Sequence, residues 1–292
     1  MADGTVLYFS STGNTEHAVK HLVLHLRGFS TGPVSKINIV ELTEASRGDP
    51  EALENINTLL KRSGFLILGF PVHDFGPARN VLEVVSKIAS QEVQKPAFVL
   101  ATHGGNPGRS LAAAAERLEK KNYEVKGGVD LLYPSAWVVS AQKVNDIAGI
   151  EKFINRFESP QKKELRTQQI KNFAKFINQY LDPRRGVDTE LITEFVEYPY
   201  IHSTQILTKL YEPNIAMRFF SITVDMDKCT KCGICEKVCP SGRMKISSFP
   251  KPAGKCFGCY GCINNCPVNA VESYLTKGKM RYTRKRLGLD TY

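Results

Sequence analysis

Eight cysteines carry the first chemical signal in the chain, and they are all the cysteines it has. They fall in two runs of one pattern: Cys229-x2-Cys232-x2-Cys235-x3-Cys239-Pro240 and Cys256-x2-Cys259-x2-Cys262-x3-Cys266-Pro267. This is the spacing of iron-sulfur ligation, in which the fourth cysteine of each run serves the other of two [4Fe-4S] cubanes. It assigns Cys229, Cys232, Cys235 and Cys266 to one cluster, and Cys256, Cys259, Cys262 and Cys239 to the second. Every corner is a thiolate, so no iron is left open and the clusters are expected to carry electrons, not to act as Lewis acids.

Zinc and disulfides are the competing uses of eight cysteines. Zinc takes paired ligands, often with histidine, at one tetrahedral point, and no histidine lies between Cys229 and Cys266. Disulfide frameworks belong to short secreted chains, and this chain has 292 residues. Gly233, Gly258 and Gly261 let the backbone curl round a cluster, and the proline after each fourth cysteine turns the chain away.

The second signal lies near the start. Thr5–Phe9 reads as a buried strand, followed by Ser10-Ser11-Thr12-Gly13-Asn14-Thr15 and an amphipathic helix over Glu16–Arg27. Hydroxyls and backbone N–H groups converging on a helix N-terminus make a phosphate site that needs no lysine. Neither the Walker pattern nor Gly-x-Gly-x-x-Gly occurs here. The loop resembles the FMN phosphate loop of flavodoxins, Ser/Thr-x-Thr-Gly-x-Thr; a capping cluster without a ligand is the plain alternative.

Stepping outward, strands and helices alternate as a parallel sheet requires. Strands are expected at Val34–Leu42, Gly64–Phe70, Ala97–Ala101 and Val129–Val139, with helices at Glu51–Arg62, Ala78–Ala89 and Arg109–Lys121. A lysine- and glutamine-rich helix, Gln161–Leu181, presents Leu165, Ile170, Phe173, Phe176, Ile177 and Leu181 as its apolar stripe. Five strands would suit the order 2-1-3-4-5, with the ligand at the carboxyl ends where the order reverses. Two loops leave those ends: Pro71-Val72-His73-Asp74-Phe75-Gly76, and Thr102-His103-Gly104-Gly105-Asn106-Pro107-Gly108. By the flavodoxin resemblance they would hold the isoalloxazine ring, with Phe75 and His103 flanking it and a carbonyl at Gly76, Gly104 or Gly105 turned toward N5.

Other residues receive ordinary readings first. His17, His21 and His25 form a solvated helix face, Trp137 a half-buried strand aromatic, and Arg109 a solvated helix start. Tyr133 and Asp74 are candidate proton donors only if the protein is an enzyme. The basic tail Lys277, Lys279, Arg281, Arg284, Lys285 and Arg286 reads as solvated, with a docking strip as second choice.

Composition is that of an ordinary globular protein, 42 % hydrophobic and 23 % charged. The formal net charge of +10 falls to roughly +4 once two clusters and a flavin phosphate are counted. Basicity is thus a weak argument for nucleic acid and a better one for acidic redox partners. Met-Ala-Asp-Gly runs straight into an apolar strand without a basic n-region, and no apolar run reaches about 18 residues. The expectation is a cytoplasmic protein of a low-oxygen cell.

With both motifs placed, the chain resembles a flavodoxin fused to a bacterial-type two-cluster ferredoxin, a fusion found chiefly in anaerobes. The resemblance implies an α/β flavodoxin-like domain over 1–182, a packed linker over 183–221, a small α+β ferredoxin domain over 222–276 and a basic tail over 277–292. It implies FMN, two [4Fe-4S] clusters and electron exchange with ferredoxin-linked enzymes or other carriers. An FMN-dependent reductase of a small organic acceptor, fed by its own clusters, is the alternative. Nucleic-acid binding around structural clusters is a remote third.

Overall fold

The computed structural model describes residues 2–28, 32–134, 147–182, 184, 221–274 and 276–289. Ala2–Tyr8 (β1), Val34–Glu41 (β2), Phe65–His73 (β3), Lys95–His103 (β5) and Tyr123–Leu132 (β6) are parallel, in the order β2-β1-β3-β5-β6. Gly76–Pro77 (β4) folds back antiparallel on β3. Counting the parallel strands alone, this is the order 2-1-3-4-5, the flavodoxin-like topology.

Both faces of the sheet are covered, which is why its strands read as unbroken apolar runs. Along β3 successive residues alternate between faces: Phe65 and Ile67 join one core, Leu66, Leu68 and Phe70 the other. The first core is closed by Asn14–Arg27 (α1) and Pro160–Leu181 (α7). Thr43–Arg47 (α2), Pro50–Arg62 (α3), Arg79–Lys87 (α4) and Ser110–Glu119 (α5) close the second. Helix α3 starts where Asp49 accepts hydrogen bonds from the N–H groups of Glu51 and Ala52, with Pro50 in its first turn.

Two expectations need correcting. Strand β6 begins at Tyr123, six residues before the expected Val129, because Gly127 and Gly128 are packing glycines and not turn glycines. A Cβ at Gly127 would stand 2.7 Å from Phe176, and one at Gly128 2.6 Å from Val99. Within α7, Leu165 leaves the apolar stripe and is exposed, while Ile170, Phe173, Phe176 and Ile177 are buried. The helix Ile147–Glu158 (α6) was not foreseen. Trp137 and nearly all of the expected linker lie outside the described residues.

The cysteine-bearing segment pairs Ile222–Val224 (β7) antiparallel with Val271–Ser273 (β8). Two short helices, Ile234–Lys237 (α8) and Gly261–Asn265 (α9), lie between those strands in sequence. Its core contains Ile222, Val224, Met244, Ile263 and Val271 together with Cys235, Cys239, Cys262 and Cys266. No described helix is long and apolar enough to cross a membrane.

Candidate functional site

All eight thiols are free. Five are buried, Cys229 and Cys256 are half-buried, and Cys232 is exposed. Burial raises the Cys235 thiol to about 11, and Cys266, Cys229 and Cys232 push it the same way. Burial raises Cys259 to about 12, with Cys256 and Cys239 adding to it. Cys262 is driven well above the thiol range by burial and then by Cys259, Cys239, Cys256 and Cys235. Cysteines of the second run thus feel Cys239 of the first, and Cys235 of the first feels Cys266 of the second.

Four of the cysteines, Cys239, Cys256, Cys259 and Cys262, share one pocket. Among the described residues no three His, Cys, Asp or Glu side chains close on a single metal ion, whereas tetrahedral zinc requires four ligands within about 2.3 Å of one centre. Apolar neighbours such as Met244 and Ile263 line the same pocket. Donors already point at sulfur: Ala270 N–H to Cys266 Sγ at 3.2 Å and Gly258 N–H to Cys256 Sγ at 3.5 Å. Such donors favour the thiolate, and a low-polarity cage of four thiolates fits an iron-sulfur cube.

The β1–α1 loop ends at Gly13, left-handed with φ 94°, which opens α1. Ser10 Oγ is sealed from solvent and has no hydrogen-bond partner among the described residues. Thr15 shares a buried 2.8 Å hydrogen bond with Thr102, tying this loop to the end of β5. Asn14 donates to the carbonyl of Pro134 and accepts from the Tyr282 hydroxyl, so its side chain is committed to protein.

Pro71, Val72 and His73 lie on β3, and Asp74 and Phe75 form the tight turn to β4, with φ of 51° and 63°. Gly108 has φ 56°, and a Cβ there would sit 2.5 Å from the Phe75 carbonyl, so the two expected ring loops touch where only glycine fits. Space lies open around Gly105, and a Cβ at Gly76 would meet nothing nearer than 4.0 Å. Gly104 and Asn106 belong to the β5–α5 loop, where the Asn106 side chain accepts from Gly108 N–H.

His73 Nδ1 is likewise sealed and has no partner among the described residues, and burial holds the ring neutral with a pKa near 4. His103, expected to flank a ring, is buried with Nε2 3.0 Å from Asp130 and Nδ1 accepting from Gly105 N–H. The unsatisfied Ser10 and His73 atoms, both at the carboxyl edge of the sheet, fit a polar flat ligand laid from the phosphate loop toward the β3–β4 turn.

The cysteine-bearing segment rests on that same edge. Cys259 joins the sheet's own second core. A Cβ at Gly261 would lie 3.6 Å from Ser11 Cβ, and Asn265 donates to the Ser11 carbonyl at 2.9 Å. Arg47 donates to the carbonyls of Cys239 and Glu236, both at 2.8 Å, and also to that of Lys237. Lys255 pairs with Glu83 of α4. The Cys239/256/259/262 group is therefore the one against the sheet.

Lys277, Lys285 and Arg286 of the tail are exposed as expected, but Arg281 and Arg284 are buried. Arg284 N–H donates to the Thr12 carbonyl at 3.1 Å, and its Nη1 lies 2.9 Å from Glu158. Arg166 meets the same carboxylate at 2.9 Å. Arg281 bonds three backbone carbonyls and Arg286 bonds Cys266 O. His17 is not solvated either: it is buried, 2.8 Å from the Tyr133 hydroxyl and stacked on His21. Tyr133 is itself buried under Arg166, away from any proton-donor role at a surface. An arginine at the end of a one-turn helix, such as Arg47, carries no spacing signal, so sequence reading could not find it.

Comparison with known proteins places two matches on the cysteine runs, both described as 4Fe-4S binding domain, at residues 221–244 and 253–269. Pyruvate synthase subunit PorD of Methanocaldococcus jannaschii is 35 % identical over 72 residues, covering 21 % of this chain and 84 % of that protein. An uncharacterized ferredoxin of the same organism is 31 % identical over 70 residues, covering 22 % of this chain and 91 % of the relative. Among solved structures, oxidised flavodoxin 1 of Bacillus cereus aligns with 53 % of this chain and 93 % of its own, at 16 % identity and TM-score 0.35. An FMN-dependent NADH-azoreductase of Bacillus anthracis aligns with 61 % of this chain and 100 % of its own, at 10 % identity and TM-score 0.39. Through its C-terminal segment the chain belongs to the ferredoxin-type 4Fe-4S binding family, carried behind a doubly covered parallel sheet of flavodoxin-like order.

Proposed function

We propose that this protein is an internal electron conduit between two [4Fe-4S] clusters and one FMN. Cys229, Cys232, Cys235 and Cys266 would hold the outer cluster, and Cys239, Cys256, Cys259 and Cys262 the inner one. Ser10 to Thr15 would take the FMN phosphate, while residues 71–76 and 102–108 would border its ring. Clusters of this kind supply single-electron transfer, and FMN supplies both one- and two-electron chemistry.

One observation carries the reading: Cys259 packs into the sheet's core while α9 rests on Ser11 of the candidate phosphate loop. Arg47, Asn265 and Lys255 hold the two units in one arrangement, which matters because electron transfer slows steeply as the gap widens. The surrounding apolar side chains keep water from the inner thiols. Cys232 is the exposed thiol, and half-exposed Met226 and Ile234 belong to the same segment. Ferredoxin-linked enzymes or small one-electron carriers would dock on this side.

Anaerobic purification followed by iron, sulfide and flavin counts tests the proposal. Eight irons, eight sulfides and one FMN per chain, with reduced-cluster EPR signals, are the expected result. Protein that binds zinc or lacks flavin after reconstitution would overturn it.

A further inference from the structure

Arg281 bonds the carbonyl of Val271, a member of the core that holds Cys235, Cys239, Cys262 and Cys266, and its side chain is 2 % exposed. Nη1 donates to the carbonyl of Thr276 at 2.8 Å and of Lys279 at 3.3 Å, and Nη2 to that of Val271 at 3.2 Å. Nε is sealed from solvent and has no partner among the described residues. The carboxylate nearest it is Glu272, whose Oε1 is 3.6 Å from Nη2 and whose side chain is 19 % exposed. Burial and the Arg286 charge work against the Arg281 cation, while Glu272, Cys266 and Cys262 work for it. The core that Arg281 bonds holds cysteines of both proposed ligand sets, Cys235 and Cys266 of one and Cys239 and Cys262 of the other.

A buried cation is costly to keep unless something anionic repays the desolvation. Three neutral carbonyls and one offset carboxylate leave Arg281 incompletely matched. An all-thiolate cube is anionic, and one-electron reduction makes it more negative by one charge with no bond made or broken. A fixed positive charge in a low-dielectric surrounding stabilises the reduced form more than the oxidised form.

We propose that Arg281 is a redox-tuning residue shared by both clusters, raising the reduction potential of each. It rests on the reading of the eight thiols as cluster ligands, and it adds a role for a residue that ligates nothing. Glu272 is the counterweight: it offsets part of the Arg281 charge from the solvent side.

The test is an EPR-monitored potentiometric titration of the full chain, purified anaerobically, with dithionite as the one-electron reductant and iron and sulfide counted in each variant. Arg281→Gln is expected to make reduction at least tenfold less favourable for each cluster, a fall of about 59 mV for a one-electron couple. Glu272→Gln is expected to move both potentials upward by a smaller amount. Potentials unchanged in Glu272→Gln, or in Arg281→Gln carrying full clusters, overturn the proposal. If Arg281→Gln fails to keep its clusters, Glu272→Gln decides alone. Wild-type protein without clusters would instead overturn the ligand reading beneath it.

Discussion

Arg47, at the end of α2, donates through Nε to the carbonyl of Cys239 at 2.8 Å, joining a loop of the parallel sheet to a member of the inner thiol group. The same guanidinium reaches the carbonyls of Glu236 and Lys237 and is held from behind by Glu44. One side chain thus closes the carboxyl end of α8 and fixes a cysteine backbone against the sheet. Arg47→Ala is expected to weaken the association of the two units by about 2 kcal/mol, the scale of a hydrogen bond to a charged donor. Calorimetry should then show the cysteine-bearing unit melting ahead of the sheet. A single unshifted transition would contradict this.

Glu158 is shared between Arg166 and Arg284 at 2.9 Å each, and all three side chains are at most 5 % exposed. Removing a carboxylate from between two buried cations leaves both uncompensated. Glu158→Ala is expected to cost about 3–5 kcal/mol in urea unfolding. A cost below about 1 kcal/mol would mean that the tail is not held by this triad.

Asp74 and Phe75 hold left-handed backbone at the tip of the β3–β4 turn, and Phe75 is 43 % exposed. Glycine would be easier there by about 1 kcal/mol. Phe75→Gly is therefore expected to raise the melting temperature while weakening FMN binding to flavin-free protein several-fold. Tighter or unchanged binding would remove Phe75 from the ring site.

His73 is held neutral by burial, with a pKa near 4 against an ordinary value near 6.5, and Asp74 opposes the shift. The folded state then binds fewer protons than the unfolded state between those values. Stability is full above about pH 6.5 and falls as pH drops toward 4. Flavin-free protein should lose at most about 3 kcal/mol over that range, and His73→Gln should flatten that part of the profile. Equal slopes in both proteins would contradict it.

The cysteine runs made the two 4Fe-4S binding segments legible, because ligand spacing is set by the group the ligands surround. The sheet order was legible for a similar reason: strands such as Phe65–Phe70 are buried on both faces and read as unbroken apolar runs. Gly127 and Gly128 hid the start of β6, since glycine chosen for close packing looks in sequence like glycine chosen for a turn. The tail misled because arginine is usually solvated, and nothing local announces that Glu158, more than 120 residues away, waits for Arg284. The pairing of His103 with Asp130 was not legible, because that partner stands on the neighbouring strand β6.

The most direct measurement follows charge inside one molecule. Fully loaded protein is reduced at its clusters by a laser flash, and the flavin absorbance is recorded across a range of protein concentrations. The expected result is a first-order flavin reduction whose rate is independent of concentration and falls in Arg47→Ala. Flavin that stays oxidised while the clusters are reduced, or a rate proportional to protein concentration, would contradict an internal path from the Cys259 group to the loop at Ser11.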